Sequence, residues 1–298
     1  MAIPEAQLDS WSKIGSQTQS AATYQNIKTV LDSPKSPYSQ RECLSFLQGS
    51  YGNDTNIIGF DSDVDVVLRS NATYYYEDTE LDALAKQRFT QSFAPATYDY
   101  STFKAEVFAW LRTNFGSDVS FGKKALGIKG NGTRRDADVL PCFQYRKYLS
   151  FTNSYTESFI EGICFFLPDG TKIINYPKKH SENSTSMHQN TLQYYKPMVR
   201  ILKNMRNKLV ADNMLKDGIA PSYFIEGLLY NAPNNLFGNG FGNTFVATIN
   251  WLDKGDREKY VCVNEQYYLL HPTSTVTWRA ENCETFIRAV CNLWNEWK

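Results

Sequence analysis

Between Pro4 and Leu31 apolar positions are sparse. Leu8, Trp11, Ile27 and Val30 form a thin stripe with no further proline and only Gly15 to interrupt it, which predicts one long, largely exposed helix over 4–31. Pro34 and Pro37 stop that pattern, and a second helical stretch is expected over 38–48, ending at Gly49. The period then changes. From Gly59 to Arg69 the text GFDSDVDVVLR alternates acidic and apolar residues and closes on a β-branched run, the pattern of a half-buried strand. Helices are expected over 80–92, capped by Thr79, and from a Ser101 cap to Gly116. Short strands are expected over 118–121, 125–129, 137–145 and 159–167, and over 171–176 after the turn Pro168-Asp169-Gly170. Beyond Pro177 the pattern is helical, over 188–211, 221–231, 243–253 and 283–297, with an Asn/Gly-rich loop between Asn231 and Asn243.

This order predicts a mixed α/β lobe followed by a helical one, divided as 1–185 and 186–298. With 42% apolar residues, and 18 Phe, 19 Tyr and 6 Trp among the 298 residues, there is enough material for such cores and too much for a disordered chain. The 31 basic and 31 acidic side chains cancel, which argues against a polyanion-coating protein. No run of 18 apolar residues occurs, and MAIPEAQLDSWSKIG has neither the basic nor the apolar region of a secretory signal, so a cytoplasmic protein without a membrane partner is expected. Six isolated cysteines (43, 142, 164, 262, 283, 291), most within apolar runs, are expected to be buried thiols rather than disulfides or zinc ligands.

Candidate chemistry is concentrated between residues 49 and 67. In a strand, side chains at i and i+2 share a face, so Asp63 and Asp65 point the same way while Val64 and Val66 point into the core. Two carboxylates facing one point repel unless a cation lies between them, and an oxygen-only donor set favours Mg²⁺, with Mn²⁺ as a substitute. The loop Gly49-Ser50-Tyr51-Gly52-Asn53-Asp54-Thr55 offers glycines, backbone amides and the Ser50 hydroxyl to a phosphate. It is not a Walker motif, because no Gly-Lys-Ser/Thr follows and a strand, not a helix, comes next. Farther on, Lys196, Arg200 and Lys203 share one helical face beside an apolar one of Val199, Leu202 and Leu209, giving a cationic surface suited to a triphosphate. Ser222 stands where a helix N-terminus presents free amides, and Tyr223 offers a ring on which a base can stack.

The string GSYGNDTNIIGFDSDVDVV, from Gly49 to Val67, resembles the signature of the polymerase-β-like nucleotidyltransferases: Gly-Ser, then Thr55, then Ser62-Asp63-Val64-Asp65. Within that superfamily it looks like the branch of oligoadenylate synthase, cyclic GMP-AMP synthase and the bacterial cyclic-oligonucleotide synthases (CD-NTases) of anti-phage systems. The family's third carboxylate is matched by Arg135-Asp136-Ala137-Asp138-Val139-Leu140-Pro141, which implies Asp138 as the third ligand; Asp136 shares its face by parity, but the Val-Leu-Pro that follows fits Asp138. Asp61 is read as a supporting or solvent-facing acid. The similarity continues through Asn175 to His180, Val199 to Lys208 and Pro221 to Glu226, and implies Lys203, Ser222 and Tyr223 as donor-nucleotide contacts and Asn175 at the acceptor base.

The resemblance implies a bilobed α/β fold with a mixed central sheet, a helical C-terminal lobe, a long N-terminal spine helix and a nucleotide cleft between the lobes. It implies an enzyme with two metal ions per site that joins NTPs into a cyclic di- or trinucleotide with release of pyrophosphate, and a separate effector protein that binds the product. A monomer is expected. Two other readings stand beside this one: a nucleotidyltransferase that makes linear oligonucleotides or modifies another acceptor, and a non-catalytic nucleotide-binding module. Seven Lys/Arg between Lys123 and Lys147 read as a solvated strand edge, and the zinc-binding insertion of the animal sensor is missing, so no nucleic-acid activator is expected. His180 reads as a loop-packing residue.

Overall fold

The computed structural model describes residues 2–15, 17–58, 63–272, 274 and 276–297. Where one helix is expected over 4–31 there are two, α1 (Glu5–Ser12) and α2 (Thr18–Leu31). Gly15 explains the break: its amide donates to the Asn56 carbonyl at 3.2 Å, and a Cβ there would lie 2.5 Å from the Ile57 carbonyl oxygen. Only glycine admits that close passage of another segment, and the helix ends to make it. Packing divides the chain into two compact units, and not by a single cut at 185/186. One comprises Gln17–Gln48 and Asp63–Lys178; the other comprises Met1–Ser16, Gly49–Ser62 and Lys179–Lys298.

The first unit is built on seven strands: β1 (Cys43–Leu47), β2 (Val64–Glu77), β3 (Val119–Phe121), β4 (Leu126–Ile128), β5 (Ala137–Asn153), β6 (Thr156–Phe166) and β7 (Lys172–Asn175). The order is β1-β2-β5-β4-β3, with β6 pairing β5 and β7, and only the central β2–β5 pair is parallel. β1 occupies residues expected to be helical; it pairs with β2 in the register Phe46↔Val67, a tertiary pairing that overrides the local pattern. Val64, Val66, Val67, Leu68 and Val139 are buried, and Phe103 stacks on Phe143 at 5.5 Å. Two further helices belong here. In the one over Ala83–Ser92 the Asp82 side chain caps the start by accepting from the Ala85 amide at 2.8 Å, while Thr79, the expected cap, bonds Glu77. In the one over Tyr100–Phe115 Asp99 caps the Thr102 amide, and Ser101 donates to that same Asp99.

The second unit holds α1, the single turn α3 (Gly49–Gly52) and the helices α6 (Pro177–Asn190, from Lys179), α7 (Tyr195–Ala211), α8 (Ser222–Tyr230), α9 (Phe241–Lys254) and α10 (Ala280–Asn295); Ala83–Ser92 and Tyr100–Phe115 are α4 and α5. The stretch 188–211 is two helices because Leu192 and Gln193 are left-handed, with φ of 51° and 65°, and the Thr191 hydroxyl accepts from the Tyr195 amide to start α7. The core gathers Met198, Ile201, Leu202, Met205, Leu228 and Phe286. All six cysteines are free thiols, four buried and two, Cys43 and Cys291, half-buried. Among the described residues no helix is long and apolar enough to cross a membrane.

Candidate active site

In the sheet unit the acidic residues meet at the start of the parallel pair. Asp65 of β2 and Asp138 of β5 are direct register partners, both half-buried, and Asp63 precedes β2 by one residue, exposed. Paired residues on neighbouring strands project from the same face, about 4.8 Å apart along the hydrogen-bonding direction. Burial pushes the carboxyl of Asp138 above its ordinary value, and the charges of Asp63 and Asp136 push it further. Asp63 is raised in the same way, by burial and then by Asp136. Asp63, Asp136 and Asp138 line a cleft of about 380 Å³ with Ser117, Asp118, Ser120 and Lys129. Its floor needs Gly127, the partner of Asp138 on β4: a Cβ there would stand 3.7 Å from the Asp138 Oδ1 and 2.7 Å from the Ser120 Oγ.

Asp136, the competitor for the third position, caps a turn instead: its Oδ1 accepts from the Gly130 amide at 2.6 Å. Asn175 closes β7, half-buried, with its Oδ1 accepting from the Tyr176 amide at 2.8 Å. Asp61 and Ser62 lie outside the described residues. Asp65 and Asp138 as register partners, with Asp63 lining one cleft with Asp138, make an all-carboxylate donor set that fits a hard divalent cation. Among the described residues no three acidic, histidine or cysteine side chains are gathered tightly enough to cage a metal.

In the helical unit the loop 49–55 is the most heavily tied segment. Gly49 takes a φ of 69°, its carbonyl accepts from the Asn53 amide at 3.1 Å, and the Ser50 carbonyl accepts from the Thr55 amide at 2.9 Å. The cationic face of α7, expected to be open to a triphosphate, is buried and directed at this loop. Lys196 pairs with Asp54 at 3.1 Å, Arg200 donates to the carbonyls of Ser12 and Asp54, and Lys203, 3% exposed, donates to the Thr55 carbonyl at 2.8 Å. Burial and the charges of Lys196 and Arg200 press His188 down to about 4, so it stays neutral and accepts from the Lys196 amide. Lys203 therefore acts on the loop and does not present an open charge.

Ser222 begins α8 directly after Pro221, and Tyr223 is half-buried, its hydroxyl accepting from the Asn264 Nδ2 at 3.0 Å. Burial drives that phenol well above its ordinary value, so it stays protonated. Sequence reasoning missed Glu226, 4% exposed. Its Oε1 accepts from the Thr55 hydroxyl at 2.6 Å and lies 3.8 Å from the Lys203 Nζ, and its Oε2 lies 2.7 Å from the His180 Nε2. Burial alone would raise this carboxyl, but His180, Lys203 and Thr55 together hold it below its ordinary 4.5. The signal was present: Phe224-Ile225-Glu226-Gly227-Leu228-Leu229 carries one charge in an apolar helix, and a buried charge requires a partner.

Comparison with known proteins gives consistent likenesses. Residues 182–295 match the family model described as the cGAS/DncV-like nucleotidyltransferase C-terminal helical domain. The chain is 40% identical to the cyclic nucleotide synthase CdnE01 of Staphylococcus haemolyticus, covering 100% of both chains. It is 39% identical to the cyclic UMP-AMP synthase of Rhodothermus marinus, covering 100% of this chain and 99% of that one. Among solved structures, the Rhodothermus marinus synthase with Apcpp and Upnpp superposes with a TM-score of 0.89 at 37% identity, over 99% of this chain and 97% of that one. The Elizabethkingia meningoseptica CdnE cyclic dinucleotide synthase with GTP and Apcpp superposes at 0.79 and 29% identity, over 99% and 100%.

Proposed function

The chain belongs to the cGAS/DncV-like nucleotidyltransferases, and on that premise we propose that it joins nucleoside triphosphates into a cyclic oligonucleotide, in the first place a dinucleotide, with release of pyrophosphate. It is a nucleotidyltransferase. The observation that carries the proposal is the adjacency of Asp65 and Asp138 on the parallel strands, with Asp63, one residue before β2, lining one cleft with Asp138. These three carboxylates would hold divalent metal, Mg²⁺ by the hardness of the donors. Bound there, the metal supplies charge neutralisation for the triphosphate and lowers the pKa of the attacking ribose hydroxyl.

The remaining work belongs to the chain. Asp138 would also lie at the attacking ribose hydroxyl and help its deprotonation. In the helical unit the Ser50 hydroxyl and the amides of the loop would bind phosphate oxygens and keep the leaving pyrophosphate in line. Lys203 and Lys196 keep that loop in shape through Thr55 and Asp54. Tyr223, a neutral phenol, would stack a base, and Ser222 would add a donor at the start of α8. Asn175 would border the acceptor base. Ring closure is a second transfer on the linear intermediate. We further infer a cytoplasmic, monomeric enzyme whose product is read by an effector protein in anti-phage signalling.

The test is incubation of the purified chain with labelled NTPs and Mg²⁺, followed by phosphatase. With α-labelled NTPs, a cyclic product keeps all of its label after phosphatase, and a linear product loses the label of its 5′-terminal phosphate while keeping that of its phosphodiester. Full release as inorganic phosphate would mean that no nucleotides were joined and would leave a nucleotide-binding module.

A further inference from the structure

The carboxylate of Glu226 has no place in the chemistry above, yet both of its oxygens are engaged by groups that carry nucleotide-facing elements. Oε1 receives the Thr55 hydroxyl at 2.6 Å, and Thr55 is the residue whose amide bonds the Ser50 carbonyl and whose carbonyl receives Lys203. Oε2 meets the His180 Nε2 at 2.7 Å, and the His180 ring lies against Tyr223 with centroids 5.1 Å apart and planes 30° from parallel. A carboxylate only accepts, so the His180 Nε2–H donates to it, and the ring's Nδ1 is buried with no partner among the described residues. The Tyr195 hydroxyl, donating to the Glu226 carbonyl at 2.9 Å, fixes the backbone beneath.

A buried ion cluster of this kind is a poor source of stability, since desolvation of the ions offsets most of their attraction. What it does supply is geometry: each acceptor has one donor in one direction. We propose that Glu226 is a positioning residue that holds the Ser50 loop, through Thr55, and the Tyr223 ring, through His180, in the arrangement that binds the NTP. The proposal rests on the assignment of Ser50 and Tyr223 as nucleotide contacts. An amide at 226 would keep the shape and accept from Thr55, but it would remove the charge opposite Lys203 and turn an N–H toward the His180 Nε2–H, setting donor against donor.

The experiment measures KM and kcat by pyrophosphate release from the four NTPs with Mg²⁺, together with thermal unfolding, for the full chain and for S50A, T55S, T55V and E226Q. The expected result is a rise in KM of at least tenfold in E226Q and T55V, larger than the fall in kcat, with T55S within twofold of the parent. A purely structural role would lower the unfolding temperature and the active fraction, hence kcat, and leave KM in place. If E226Q does not fold, T55V against T55S decides alone, because the hydroxyl is removed while Glu226 keeps His180 and Lys203. Folded E226Q and T55V with parental KM, beside an S50A variant whose KM rises, would overturn the positioning role. Parental KM in S50A as well would instead remove the phosphate-loop assignment, and the inference with it.

Discussion

Replacing Asp138 by asparagine should stabilise the metal-free protein while abolishing synthesis. Burial raises the Asp138 carboxyl, and the charges of Asp63 and Asp136 raise it further. Two unit charges about 5 Å apart repel by about 0.8 kcal/mol at the dielectric of water and about 3.3 kcal/mol at an effective value of 20. Asp138 is half-buried while Asp63 and Asp136 are exposed, so a relief of about 1 to 2 kcal/mol is expected. At 2 to 4 °C per kcal/mol for a chain of this order of size, the unfolding temperature in EDTA should rise by about 2 to 8 °C. Added Mg²⁺ should stabilise the parent, by about 1.4 kcal/mol for each tenfold excess over its dissociation constant, and the variant much less. The pH dependence has a definite sign. A carboxyl raised in the folded state binds its proton more tightly there, so the metal-free parent gains stability as pH falls through the raised value, and the variant loses Asp138's share of that gain. The assay is thermal unfolding with and without Mg²⁺ across pH. A D138N protein that melts at or below the parent in EDTA would refute the like-charge picture of the site.

The opposite sign holds for Glu161. Burial would raise it, but Arg69 at 2.8 Å, Lys178 at 2.7 Å and Gln144 at 2.9 Å hold it down to about 2. Its stabilisation, about 2 to 3 kcal/mol, is present above the ordinary glutamate value and lost as pH falls from there to about 2; E161Q should flatten the acid limb of an unfolding titration by circular dichroism, and an unchanged acid midpoint would contradict this. Thiol titration should find at most Cys43 and Cys291 reacting in the native protein, slowly because burial pushes Cys43 up to about 11, and all six only after denaturation; a third native thiol would mean that the packing around Cys142, Cys164, Cys262 or Cys283 is wrong.

Where the chain's own period carried the signal, it was legible. The strand face of Asp63 and Asp65 follows from alternation with Val64 and Val66, and α5, α9 and α10 follow from apolar stripes of helical spacing. What failed did so for tertiary reasons. The split of α1 from α2 depends on a backbone passing Gly15, and β1 depends on an edge of β2 that residues 38–48 cannot announce. The carboxylate adjacency could be reached only through resemblance, because register between strands 73 residues apart is not written in either one. The cations of α7 show the limit most clearly. Their spacing places Lys196, Arg200 and Lys203 on one face, but spacing does not say what that face meets, and it meets the loop of Asp54 and Thr55.

The central claim is that Asp63, Asp65 and Asp138 act together as the seat of nucleotide joining. The most direct measurement is product formation from labelled NTPs and Mg²⁺ by the parent beside D63A, D65A and D138A, each first shown to be folded by circular dichroism. The account predicts no product from any of the three. Synthesis at a substantial fraction of the parental rate by any folded one of them would contradict it.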